Sequence, residues 1–320
     1  MAPVNTPAGW ASHINRLLDA ALGQNDPKRF PIDIGFLAEH IPTQFNTNEP
    51  IVLQAAPLGQ GFDACLNPYV PERDTRRHWA LIYNQDITSS GRIRFTQSHE
   101  LGHYLLHRAQ GSAFMCSEAD MLNWDHAHKQ QENEADQFAS YLLMPRNHFE
   151  RQMGTGPVDL DVLGHCAEFF GVSLMATTLK WLQFTYRRAL VVCSREGSIQ
   201  WAWGSDKGKF LSAKLNKRLQ NNQRGRLPEQ SATMLLRGAL PERQGIDIKA
   251  SVWFADEPAS MPLREMTINS DQYKFTMSLL VLPDEVKPWE RDAQDRHHPQ
   301  ASTWEGDGLE DTLSRFERRG

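Results

Sequence analysis

Apolar residues recur along this chain at two spacings, and the change from one to the other divides it. Trp10, Ile14, Leu17, Leu18 and Ala21 share one face at helical spacing, which predicts an amphipathic helix over 9–22. A second short helix is expected from Ile34 to His40. Ile51–Ala55 and His78–Tyr83 read as strands, and the second leads through the polar turn Ser89-Ser90-Gly91 into a helix over Phe95–His107. Ala135, Phe138, Ala139, Leu142 and Leu143 return to helical spacing, and Pro145 ends that run. Residues 159–184 have a helix-turn-helix pattern, with Leu163, Ala167 and Phe170 before Gly171-Val172-Ser173, and Leu179 and Leu182 after it. Gly171 suits a tight turn and Ser173 an N-cap. From about 187 strand-like runs dominate: Ala189–Cys193, Ile199–Trp203, Lys249–Phe254 and Tyr273–Leu282, with helical stretches between. The fold class is α+β. The expected units are 1–155, a helical module at 156–186, an α+β domain at 187–282, and a charged, partly disordered tail at 283–320.

The helix over Phe95–His107 carries the chemistry. His99-Glu100-Leu101-Gly102-His103 is an H-E-x-x-H motif, and histidines four apart lie on one helix face, one turn from each other. Both imidazoles can then reach one Zn²⁺, with Glu100 placed to take a proton from the water it activates. A catalytic zinc site needs a third protein ligand and an open fourth position. Glu132, near the start of the Ala135–Leu143 helix, fits as that ligand, and Asp136, one turn on, fits as the partner that orients a histidine ring. Glu134 is the rival ligand, although only Glu132 pairs with Asp136 at i+4. This Glu-x-x-x-Asp arrangement is the gluzincin pattern. The metzincin pattern wants glycine at position 106 and histidine at 109, where the chain has Leu106 and Ala109. His107 extends the histidine stripe by a further turn, too far along the helix for the same ion, and reads as a packed or surface residue.

His99–His103 followed by Glu-x-x-Ala-Asp-x-Phe-Ala-x-x-Leu-Leu-Met-Pro at 132–145 resembles the ImmA/IrrE family of metallopeptidases, as does Arg92–Thr96 just upstream. The resemblance covers roughly residues 50 to 185. It implies a zincin-like peptidase domain, metal ligands at His99, His103 and Glu132, the catalytic acid/base at Glu100, and Zn²⁺ or another divalent ion such as Mn²⁺ as cofactor. Ser98 stands where many relatives have alanine. Known members cleave helix-turn-helix repressors and thereby switch on mobile-element or stress-response genes, which implies a protein substrate of that kind. In zincins the strand just before the metal helix forms a sheet edge to which a substrate backbone can pair; here that would be His78–Tyr83.

Composition narrows the remaining choices. A net charge of -5 gives the molecule no general pull towards nucleic acid or anionic membrane. The longest aliphatic runs are too short to span a bilayer, and no secretory signal is visible, so a cytoplasmic location is expected. Cys65, Cys116, Cys166 and Cys193 are scattered without a C-x-x-C pair and read as reduced thiols; Cys116, between the two ligand helices, is a conceivable switch ligand. His126, His128 and His148 lie near the second ligand helix as candidate oxyanion donors. The insert from about 108 to 130 around Trp124 is a candidate lid or cleft wall. The helix-turn-helix segment carries Asp159, Asp161 and Glu168 against Lys180, a poor balance for phosphate contact, and reads as a structural buttress. The basic stretch 207–243 reads as a solvated helix face. The C-terminal domain invites comparison with GAF or PAS sensors. Two rival functions stand beside the peptidase: a non-proteolytic regulator whose metal site binds a repressor or antitoxin, and a DNA-binding regulator using 159–243.

Overall fold

The computed structural model describes residues 5–59, 62–110, 113–117, 126–220, 225–236, 242–258, 260–270 and 274–283. They divide into two compact units. One holds the described residues up to Gly156 together with Gly164–Ala176; the other holds Pro157–Leu163 and the described residues from Thr177 onward. The expectations for Trp124 in the insert and for the tail beyond Pro283 lie outside the described residues.

The first unit opens with α1 (Pro7–Leu22) and α2 (Ile34–Gln44). Each start is fixed by a side chain that takes an orphan backbone N–H: Thr6 accepts from Gly9, and Asp33 from Phe36. A four-stranded sheet follows, from β1 (Ile51–Ala56), β2 (Phe62–Tyr69), β3 (His78–Asn84) and β4 (Phe114–Ser117). Its order is β1-β3-β2-β4, with β1 parallel to β3 and the other pairs antiparallel. β3, the strand before the metal-motif helix, therefore lies inside the sheet. The sequence-based expectation that it forms the edge is corrected: β2 pairs with its second side, and β4 is the edge beyond β2.

α3 (Ser90–His107) runs across β2 and β3 and packs along α4 (His126–Leu143), which in turn packs on α1. α3 starts earlier than its apolar pattern suggests because Ser89 accepts the Arg92 N–H as a cap. The fork of Arg92 bonds both oxygens of Asp63 on β2, at 2.9 and 2.8 Å, and ties that first turn to the sheet. Behind α4, Asn15, Asp19, Arg29 and His148 form a buried polar knot. Arg29 Nε donates to Asp19 at 2.6 Å and Nη2 to Asn15 Oδ1 at 2.5 Å, while the Asn15 amide donates to the Leu142 carbonyl at 3.2 Å.

α5 (Arg146–Met153) is followed by α6 (Leu160–Phe170) and α7 (Leu174–Phe184), the two helices of the helix-turn-helix pattern. Gly171 takes the positive φ expected of the turn (64°), and Ser173 Oγ caps α7 by accepting the Ala176 N–H. Within the first unit this turn rests on the start of α3. Arg94 Nη1 donates to the Gly171 carbonyl, and Gly91 lies so close to Val172 that a Cβ there would stand 3.2 Å from its backbone.

The second unit is a five-stranded, wholly antiparallel sheet of β5 (Arg188–Arg195), β6 (Ser198–Gly204), β7 (Glu242–Lys249), β8 (Pro262–Ser270) and β9 (Phe275–Leu282), in the order β6-β5-β9-β8-β7. α8 (Lys209–Gln220) and α9 (Ala232–Leu235) fall between its second and third strands. Leu190, Val192, Leu211, Leu215, Trp253, Leu263 and Leu280 lie in its core. The run Lys249–Phe254 is a correction: β7 ends at Lys249 and a 3-10 turn covers Ala250–Val252. Ala250, Trp253 and Phe254 reach the core at i, i+3 and i+4, a helical spacing that an unbroken apolar run conceals. Glu265 on β8 is fully buried, yet it accepts the backbone N–H groups of Ala232 and Thr233, the Thr233 hydroxyl and Trp253 Nε1. Those donors offset the cost of burying its charge and seat the start of α9 on the sheet.

Candidate metal centre

A surface helix hides its apolar stripe; α3 hides its motif. His99, Glu100 and His103 are at most 3 % exposed. Such burial is tolerable only where the polar groups have partners. Ser98 finds one locally, donating to the Arg94 carbonyl at 2.7 Å, so a hydroxyl in place of alanine leaves the ligand face alone.

The two motif histidines turn their Nε2 atoms towards each other, 3.0 Å apart. Glu132 on α4 brings Oε2 to 3.2 Å from His99 Nε2 and Oε1 to 3.2 Å from His103 Nε2. Donor atoms held at 2.0–2.2 Å from a tetrahedral zinc stand roughly 3.3–3.6 Å apart, so these three converge within a few tenths of an ångström of what one such ion requires. His99, His103 and Glu132 form a cluster able to hold a metal ion. Asp136, one turn past Glu132, bonds His99 Nδ1 at 2.7 Å. That contact places the His99 proton on Nδ1 and leaves the Nε2 lone pair facing the cluster. Glu134 points elsewhere: its carboxylate lies 3.0 Å from His107 Nε2.

Protonation in this cluster suits cation binding, which needs neutral imidazoles and an ionised carboxylate. Burial lowers the pKa of His103, against the pull of Glu132, a shift towards the neutral ring. Burial works to raise the pKa of Glu132, but His103 and His99 outweigh it and hold the group well below the usual carboxylate range. Glu100 is fully buried on the same helix. Its charge adds to the effect of burial in raising the pKa of the Cys65 thiol on β2, so Cys65 stays an unreactive thiol beside the motif.

The edge strand β4 supplies one wall. The Phe114 ring stacks on His103 with centroids 4.6 Å apart and planes 19° from parallel. Sequence reasoning missed Phe114 and the Glu134 partner of His107, because neither carries a motif; the histidine stripe at 99, 103 and 107 was the available signal. His148 takes no part in the site. It is bonded to Asp19 at 3.0 Å and meets the Phe30 ring edge-on. The side chains of Cys116, His126 and His128 lie outside the described residues.

Gly102 sits between the two histidines where α3 meets α4. A Cβ there would stand 3.0 Å from Phe138 Cδ1 and 3.1 Å from Ala135 Cα. Gly102→Val is therefore expected to push α4, and Glu132 with it, away from the histidines. The expected cost is about 1–3 kcal/mol of stability together with weaker zinc binding, checked by denaturant unfolding with and without the metal.

This arrangement is of the metallopeptidase type. Residues 66–181, which span β2 to α7, match the family model for the IrrE N-terminal-like domain, a peptidase family. That match agrees with the resemblance of the motifs to the ImmA/IrrE family. No curated protein shows significant sequence similarity to the chain. No single helix among the described residues is long and apolar enough to cross a membrane.

Proposed function

We propose that this chain is a zinc-dependent endopeptidase of the cytoplasm that cuts a helix-turn-helix transcriptional repressor. The observation that carries the reading is the convergence of His99 Nε2, His103 Nε2 and a Glu132 carboxylate within a stretch that matches a peptidase family. When bound there, a divalent ion supplies Lewis-acid polarisation of the scissile carbonyl and acidifies a water. The Glu100 carboxylate accepts the proton of the attacking water and returns it to the leaving amine nitrogen. β4 has a single neighbour among the described strands and carries Phe114 against His103, so an extended substrate segment pairs along its open side. Cys65, Cys166 and Cys193 are buried and form no disulfide, which suits a cytoplasmic setting. The second unit, with helices inserted after the second strand of its antiparallel sheet, serves as a GAF- or PAS-like sensor or as the docking site for the substrate.

Direct DNA binding is the poorer reading. Lys180, the base of the second helix in the helix-turn-helix pattern, is buried, and burial pushes its pKa down to about 7. It cannot present a cation to a phosphate. In the basic stretch, Lys209 pairs with Asp206, Lys214 with Asp256 and Arg243 with Asp161.

The test is incubation of the zinc-loaded protein with a helix-turn-helix repressor from the same genome, with mass spectrometry of the products. New termini that disappear on chelation are the expected result. A repressor that is bound but stays intact would favour sequestration over proteolysis.

A further inference from the structure

His103 has its own carboxylate, reached through a second imidazole. We infer that His107, backed by Glu134, is a positioning residue that fixes the tautomer and orientation of His103 at the metal centre; the inference rests on the metal-site reading above. His103 Nδ1 lies 3.1 Å from His107 Nδ1, and His107 Nε2 lies 3.0 Å from Glu134 Oε2. His107 is 3 % exposed, and the Gln130 amide holds the other oxygen of Glu134 at 2.9 Å.

Proton placement then follows from hydrogen-bond chemistry. For His103 Nε2 to offer a lone pair to a cation, the neutral ring must carry its proton on Nδ1. That proton points at His107 Nδ1, which must accept it. The His107 proton therefore sits on Nε2 and is donated to the Glu134 carboxylate. The two metal histidines are thus supported unequally. His99 leans directly on Asp136, whereas His103 leans on an imidazole that in turn leans on a carboxylate. Phe114 stacks on the His103 ring and blocks the rotation that would exchange its two nitrogens.

Two measurements test this, with zinc alone as the probe. Long-range proton–nitrogen correlation spectra of the zinc-loaded full chain should show His103 protonated on Nδ1 and His107 on Nε2. A His107 ring protonated on Nδ1 would overturn the inference. Zinc affinity, read by competition with a chromophoric chelator, should fall 10–100-fold in His107→Leu. His107→Asn, whose Oδ1 replaces the accepting Nδ1, should recover most of that loss, and Glu134→Ala should weaken binding less than His107→Leu. Near-ultraviolet circular dichroism confirms that each variant is folded. A folded His107→Leu protein with native zinc affinity, or an Asn variant no better than Leu, sinks the relay while leaving the metal centre standing. A native chain that takes up no zinc would instead overturn the centre itself.

Discussion

Replacing His103 with alanine is expected to strip the chain of its zinc. His103 is the hinge of the cluster: its Nε2 lies 3.0 Å from His99 Nε2 and 3.2 Å from Glu132, and its other nitrogen is held by His107. Removing the ring leaves two donors for an ion that structural chemistry shows bound by three or four. It also leaves Glu132 beside one imidazole where two had held its pKa down. Zinc affinity should fall by orders of magnitude, and His99→Ala should behave alike. Glu134→Ala should not, because that carboxylate reaches the centre only through His107. Metal content after desalting, measured by atomic emission on native and variant chains, decides the matter. Stoichiometric zinc retained by His103→Ala would remove it from the ligand set.

The second large effect is expected at Glu100. Glu100→Gln preserves volume and shape, so the packing of α3 on α4 and the sheet should survive and zinc should stay. The amide has no basic oxygen for the proton of the attacking water and no proton to pass on to the leaving nitrogen. General acid–base groups contribute about 10²–10⁴-fold, and cleavage should fall by that factor at unchanged zinc content. Product formation from a bound repressor, followed by mass spectrometry against the native chain, provides the measure. A variant that cleaves at the native rate would leave Glu100 without a catalytic part.

Much of this architecture was written in apolar spacing. α1, α2, α3, α4 and the pair α6 and α7 follow from 3.6-residue periodicity and, for α7, from the cap at Ser173; the caps at Asp33 and Ser89 emerged only in the structure. Four strands escaped notice, β2, β4, β7 and β8, and for β2 and β8 the physical reason is plain. β2 includes Asp63, Asn67 and Pro68, residues that discourage a strand assignment, yet Asp63 is there to hold Arg92 and Pro68 falls near the strand's end. β8 sets Arg264 beside Glu265, and a charged residue on a core face becomes tolerable only once the donors of α9 and Trp253 surround it. The position of β3 inside the sheet was also illegible, because pairing partners depend on β2, which had not been seen. At the site, helical spacing set His99 and His103 on one face and offered both Glu132 and Glu134. The i+4 pairing with Asp136 favoured Glu132, and the structure sets Glu132 between two Nε2 atoms and Glu134 on His107.

The division of the chain within α6 and α7 bears on how such a protein can be inherited. The backbone passes from one compact unit to the other after Gly156, returns inside α6 after Leu163, and crosses again inside α7 after Ala176. A domain joined by one linker can be swapped by one recombination junction in that linker. Here no single junction frees either unit, because any cut leaves Pro157–Leu163 or Gly164–Ala176 with the wrong half. A junction near residue 186 would carry Thr177–Phe184 away from the sheet with which it forms a unit. Lineages should therefore pass on the two units as one heritable block, and exchange between relatives should be confined to surface loops.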